Sequence, residues 1–144
     1  MPLGRGLISM AKIFIGQAVT GEDRNVLREE CTQIVKEFEN SGESVYCTVL
    51  EGKDFEGSSN RTKMESAFKE IDDSDLFFVI LRSERRSEGM LMEVGYAFSR
   101  GKRIVIAIKK GVENTYLPEM GDKTLYFEDI GDLLNKIKNG EYNG

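Results

Sequence analysis

Residues 76–108, LFFVILRSERRSEGMLMEVGYAFSRGKRIVIAI, decide the fold. Two uninterrupted apolar runs, LFFVIL at 76–81 and RIVIAI at 103–108, stand at the ends of this stretch. Neither alternates polar with apolar residues, so each is expected as a strand buried on both faces, the habit of parallel sheets. Between them Leu91, Val94, Ala97 and Phe98 fall at helical spacing, and the stripe stops at Gly101, a residue suited to a helix C-terminus. Strand, helix and parallel strand make a right-handed crossover, with 76–81 as the central strand.

The same grammar extends outward. KIFIG at 12–16 is a short buried strand that stops at a glycine. Over 22–40, Val26, Leu27, Cys31, Ile34, Val35 and Phe38 mark an amphipathic helix, with Glu22 and Asp23 at its positive end. SVYCTVL at 44–50 is rich in β-branched and aromatic residues and predicts a second strand, followed by a polar loop over 51–60 that is the expected mobile segment. Met64, Ala67, Phe68 and Ile71 predict a helix over 61–73. Beyond 108 the sequence predicts a loop holding Pro118, a short strand at 124–127 and a helix over 128–138 built on Leu133, Leu134 and Ile137. Strands and helices alternate five times. The expected fold is α/β: a doubly wound, flavodoxin-like five-stranded parallel sheet with helices on both faces. The domain spans 12–138, between an N-terminal extension at 1–11 and a C-terminal tail at 139–144 whose last residues are expected to fray.

Composition fits one such domain and narrows the chemistry. The chain has 144 residues, 40% hydrophobic and 31% charged, with 15 Gly and 2 Pro, which is globular usage. Twenty Lys plus Arg against twenty-five Asp plus Glu leave a net charge of -5, so neither a nucleic acid polymer nor a membrane surface is an expected partner. With no apolar run near membrane-spanning length and too short an apolar stretch in 1–10 for a secretory signal, a cytoplasmic location is expected. Cys31 and Cys47 lack the spacing of a zinc or redox motif and are expected as buried free thiols. Histidine is absent, which excludes His-based triads, His general bases and most transition-metal sites.

In sheets of this kind ligands sit outside the carboxyl ends of the strands, where strand order reverses. Two loops qualify. The first, GQAVTGED at 16–23, brings Gly16, Gln17, Ala18, Thr20 and Gly21 ahead of Arg24 at a helix start, a setting for an anion such as phosphate, or else an ordinary tight turn. It is neither a dinucleotide fingerprint nor a P-loop. The second runs Ser87-Glu88-Gly89-Met90-Leu91-Met92-Glu93-Val94-Gly95-Tyr96-Ala97. Gly89 permits close approach of a ligand to the backbone, and Glu93 stands among Met90, Met92 and Val94, where poor solvation raises a carboxyl pKa.

The pattern S-x-G-x-x-x-E-x-G-x-A followed by GK, at Ser87, Gly89, Glu93, Gly95, Ala97, Gly101 and Lys102, resembles the nucleoside 2-deoxyribosyltransferases and their relatives, the 2'-deoxynucleoside 5'-monophosphate N-glycosidases. Gly16, the Glu22-Asp23-Arg24 helix start and Ser74-Asp75 support it, and the resemblance covers about 12–108. It implies Glu93 as a nucleophile on C1' of a deoxyribose, without metal or cofactor, and a homodimer with 90–98 as a contact face. It also implies that the residue six before the Glu contacts the 5' end of the sugar: an Asp where free nucleosides are substrates, a Ser where monophosphates are. Here that residue is Ser87, which equally suits a helix N-cap.

The sequence departs from the family at two points. The family's Asp on the helix before strand three is Ala67 here, with Glu70, Asp72 and Asp73 nearby, and its strand-one Tyr is replaced by Ile13 and Phe14. The RSERRSEG turn is also longer than the family's and adds Arg82, Arg85 and Arg86, either phosphate attractors or a solvated charge run. Three functions follow: a deoxynucleotide N-glycosidase or transferase, a catalytically silent nucleotide-binding module, or a glycosidase acting on ribonucleotides or NAD-like molecules.

Overall fold

The structure is a computed structural model and describes residues 11–19, 21–51, 57–85 and 87–144. Most of the N-terminal extension, Thr20, Arg86 and residues 52–56 of the expected mobile loop lie outside the described residues. Five strands form one sheet: β1 (Lys12–Gln17), β2 (Ser44–Cys47), β3 (Leu76–Leu81), β4 (Arg103–Lys109) and β5 (Lys123–Phe127). The helices are α1 (Arg24–Asn40), α2 (Thr48–Glu51), α3 (Asn60–Asp72), α4 (Glu88–Ser99), α5 (Leu117–Met120) and α6 (Ile130–Lys138). Every pairing is parallel and the order is β2-β1-β3-β4-β5, the flavodoxin-like arrangement expected from the sequence.

Successive strand residues face opposite sides of the sheet, so each apolar run feeds two cores. On one face Ile13, Ile15, Phe78, Ile80, Val105 and Ala107 pack under Cys31, Ile34 and Phe38 of α1 and Leu133 and Ile137 of α6. On the other Phe14, Phe77, Val79, Ile104 and Ile106 pack under Ala67 and Ile71 of α3 and Met90, Val94 and Ala97 of α4. Each fully buried large apolar side chain contributes roughly 1.5–3 kcal/mol relative to exposure. This alternation sorts the first loop: Gly16 falls on the α4 side with Phe14, and Gln17 on the α1 side with Ile15.

Three expectations are corrected. The second strand stops at Cys47, opposite Ile15 of β1, and Thr48–Glu51 turns into helix instead of continuing to 50. The Pro118 loop contains a turn of helix, with the proline in its first turn, where its missing N–H costs nothing. The C-terminal tail does not fray at Tyr142, which is 2% exposed. Its ring meets Phe38 edge-on at 4.9 Å, and its hydroxyl donates to the Glu43 carboxylate at 2.7 Å.

Candidate active site

Glu93 lies in the second turn of α4 on the helix face turned toward the sheet, and only 9% of it is exposed. Its carboxylate lies over β1, where only a glycine leaves room. A Cβ built on Gly16 would stand 3.2 Å from Glu93 Oε1 and 2.5 Å from the Phe77 ring, so any larger residue would displace both groups. Burial lifts the Glu93 pKa from its ordinary 4.5 to about 7. The carboxyl is therefore close to half ionised at neutral pH.

Two cavities flank this carboxylate, and Arg24, Thr48 and Glu93 line both. One, of about 230 Å³, is lined also by Gln17, Val19, Arg28, Ser87 and Gly89. Ser87 occupies the N-cap position of α4, yet its side chain makes no capping bond. Its hydroxyl, the N-terminus of α4 and two arginines one helical turn apart thus converge on one space, a donor set suited to a phosphate. The other cavity, of about 250 Å³, is lined by Tyr46, Lys63, Met64, Ser66 and Ala67. Tyr46 stacks on Phe14 with ring centroids 5.7 Å apart.

Of the residues singled out in the sequence, Gly16 adjoins the Glu93 carboxylate, and Gln17, Arg24, Ser87 and Gly89 line a cavity with it. Ala18 is buried in the α4-side core. Gly21 has φ +77, and its carbonyl accepts a hydrogen bond from Arg85. Thr20 lies outside the described residues. The Gln17 amide is committed beneath the site: Nε2 reaches Cys31 Sγ at 2.6 Å and Oε1 accepts from Arg82. Both cysteines are free and buried. Hydrogen bonds from Cys47 and Gln17, opposed by burial, bring the Cys31 thiol down to about 7.

Arg82 and Arg85 of the long turn have partners of their own. Arg82 pairs with Glu30 at 2.9 Å, Arg85 is held by Gly21, and Ser83 donates to Glu22 at 3.1 Å, so this segment fastens the two loops together. Two of the acidic residues near Ala67, Glu70 and Asp72, are occupied elsewhere. Glu70 pairs with Lys12 at 3.6 Å, and Asp72 accepts from Tyr96 Oη at 2.6 Å and Arg100 Nε at 2.9 Å. With Phe68 stacked on Tyr96, centroids 4.3 Å apart, that cluster locks α3 to α4. Arg28, Tyr46, Thr48 and Lys63 were missed by sequence reasoning, since each is a common residue in a helix or strand with no motif around it. A larger cavity of about 370 Å³ lies beside α1 and α6. Glu22, Asp23, Glu30 and Asp129 outnumber Arg82 and Lys109 there, which disfavours an anion.

No protein-family model matches the chain, and no curated protein matches it in sequence. Solved structures do. The CMP N-glycosidase BcmB of Clostridium botulinum superposes with a TM-score of 0.69 over 89% of this chain and 98% of its own, at 15% identity. BlsM superposes with a TM-score of 0.73 over 93% and 91%, at 17% identity. A 2-deoxyribosyltransferase from Bacillus psychrosaccharolyticus superposes with a TM-score of 0.63 over 87% and 91%, at 18% identity. The chain shares their fold. The shared fold covers nearly the whole chain, so Glu93 and its two cavities belong to the fold's own body.

Proposed function

We propose that the protein cleaves the N-glycosidic bond of a 2'-deoxynucleoside 5'-monophosphate, as an N-glycosidase or deoxyribosyltransferase, with Glu93 as nucleophile. The observation that carries this reading is the buried carboxylate of Glu93 between a cavity rich in anion donors and a second, less polar one. The nucleotide lies across both, with its phosphate toward Arg24, Arg28 and Ser87, its sugar over Gly16 and its base toward Tyr46 and Met64. Glu93 attacks C1' as the base departs, forming a sugar ester through an oxocarbenium-like transition state. Water then releases the sugar in a hydrolase; a second base accepts it in a transferase. The activities of two structural neighbours, a CMP N-glycosidase and a 2-deoxyribosyltransferase, support chemistry of this kind. The site acts without a metal or cofactor, in the cytoplasm. The protein works as a homodimer, with the exposed side of α4 as the contact.

The test is chromatography for free base after incubation with each deoxynucleoside monophosphate and the matching ribonucleotides. Base release that disappears in Glu93→Ala, while the nucleotide still binds, is the expected result, because a nucleophile serves the transition state more than the ground state. Release unchanged in that variant would discard the mechanism. The second reading, a silent nucleotide-binding module, is favoured by Ala67, which lines the base-side cavity where the resemblance places an acid. Saturable binding without release from any nucleotide would select it.

A further inference from the structure

A leaving base needs somewhere to put its charge, and the described lining of the base-side cavity offers no second carboxyl group for it. Among the described residues lining that cavity, Glu93 is the only carboxylate and is committed to C1' in the reading above, on which this inference rests. Ala67 carries no proton to give, the hydroxyls of Thr48 and Ser66 are too weakly acidic to supply one, and the phenol of Tyr46, whose ring stacks on Phe14, is the one neutral acid among the described residues of this wall. The same wall carries an ammonium. Lys63, one helical turn before Ala67 on α3, lines this cavity and has no ion-pair partner among the described residues. The nearby Arg61 and Glu65 pair with each other at 3.3 Å and leave it out.

We propose that Lys63 is the leaving-group residue of this site and that the base it serves is a pyrimidine. When a pyrimidine departs, the electron pair of the C1'–N1 bond spreads onto the carbonyl oxygen beside N1, which a compact ammonium with three donors binds end-on. A departing purine spreads its charge over ring nitrogens and offers no such oxygen there. In the step itself, a Glu93 oxygen bonds to C1', the C1'–N1 bond breaks, and the pair stays on the base, hydrogen-bonded to Lys63. Solvent then protonates the base. Water cleaves the sugar ester, returning the Glu93 carboxylate and releasing one proton. Lys63 stays charged throughout, so electrostatic stabilisation of the leaving anion takes the place of general acid catalysis.

The experiment compares wild type, Lys63→Met, Lys63→Arg and Glu93→Gln on the 5'-monophosphates of deoxyuridine, thymidine and 5-fluorodeoxyuridine, whose bases differ in acidity, with the purine deoxynucleotides alongside. Lys63 is exposed, so these variants should fold, and circular dichroism checks that they do. Lys63→Met is expected to lower kcat on the poorer leaving groups by about tenfold to a hundredfold, the scale of a lost charge-assisted hydrogen bond. The loss should shrink for the 5-fluoro base, whose anion needs less help, and Lys63→Arg should recover most of the rate. A Lys63→Met loss equal across all bases, or no loss while release still depends on Glu93, would overturn the proposal and leave the nucleophile standing. Faster release of purines than of pyrimidines would overturn the pyrimidine assignment. No Glu93-dependent release from any nucleotide would overturn both the proposal and the reading beneath it.

Discussion

Glu93 serves two opposed demands, and its burial makes the conflict measurable. A carboxyl whose pKa rises from 4.5 to about 7 on folding is most compatible with the folded state when neutral. Below its unfolded value both states hold the proton, and no penalty is felt. As pH climbs through the interval the unfolded chain ionises first, and above about 7 the folded protein carries a buried charge at a cost of about 3 kcal/mol. Glu93→Gln should therefore be more stable than wild type at pH 8, by up to about 3 kcal/mol in urea unfolding, and nearly equal to it near pH 4. A stability difference of the same size at both pH values would show that burial does not act on this carboxyl. Wild-type kcat/KM should rise through about pH 7, as the nucleophilic form takes over. The sequence revealed Glu93 through its spacing to Ser87 and Gly89 and through its apolar neighbours on α4. Its contact over Gly16 was not legible, because it depends on which face of β1 meets α4. Lys63 and Tyr46 were invisible for the same reason, since cavity walls are made by distant segments whose meeting no local pattern records.

At the scale of the element, the start of α1 is where stability and binding are most directly joined. Asp23 caps the helix, its carboxylate accepting from Asn25 N at 2.9 Å and Val26 N at 3.2 Å. Arg24, the first helical residue, lines both cavities, so the cap also fixes where that guanidinium begins. Asp23→Ala should cost about 1 kcal/mol of stability and raise KM for a monophosphate, whereas Asp23→Asn, which keeps an accepting oxygen, should stay within a few tenths of wild type. Equal losses in both variants, by urea unfolding and steady-state kinetics, would mean that the charge of Asp23 matters and its cap does not. The acidic residues before Arg24 were legible as a helix start. The end of β2 was not: SVYCTVL has strand-forming residues throughout, yet pairing stops at Cys47 opposite Ile15 although β1 runs on to Gln17, and Thr48 starts a helix instead. The turn that follows delivers Thr48 to both cavities, so a boundary that local propensity missed helps to build the site.

The topology of the whole molecule was legible because each buried strand is an unbroken apolar run, and two faces of helices are the only way to cover such a sheet. The tail was not, since Tyr142 sits among glycines and polar residues and earns its place only by reaching Phe38 and Glu43 from the far end of the chain. One surface remains unaccounted for within a single chain. On the side of α4 turned away from the sheet, Leu91, Met92 and Phe98 are 39%, 49% and 57% exposed, and a Cβ on Gly95 between them would meet nothing within 4 Å. The homodimer we propose would place a second copy against this stripe, where the glycine allows close approach and the helix that carries Glu93 would be held from both sides. Phe98→Glu should break it, because the partner would have to bury an unpaired carboxylate in place of a ring. A loss of about 3 kcal/mol in association, a hundredfold or more in the dissociation constant, is expected by sedimentation equilibrium, with the circular dichroism of the fold retained. A wild-type protein that sediments as a single chain at all concentrations would remove the dimer. A Phe98→Glu dimer as tight as wild type would move the interface off α4.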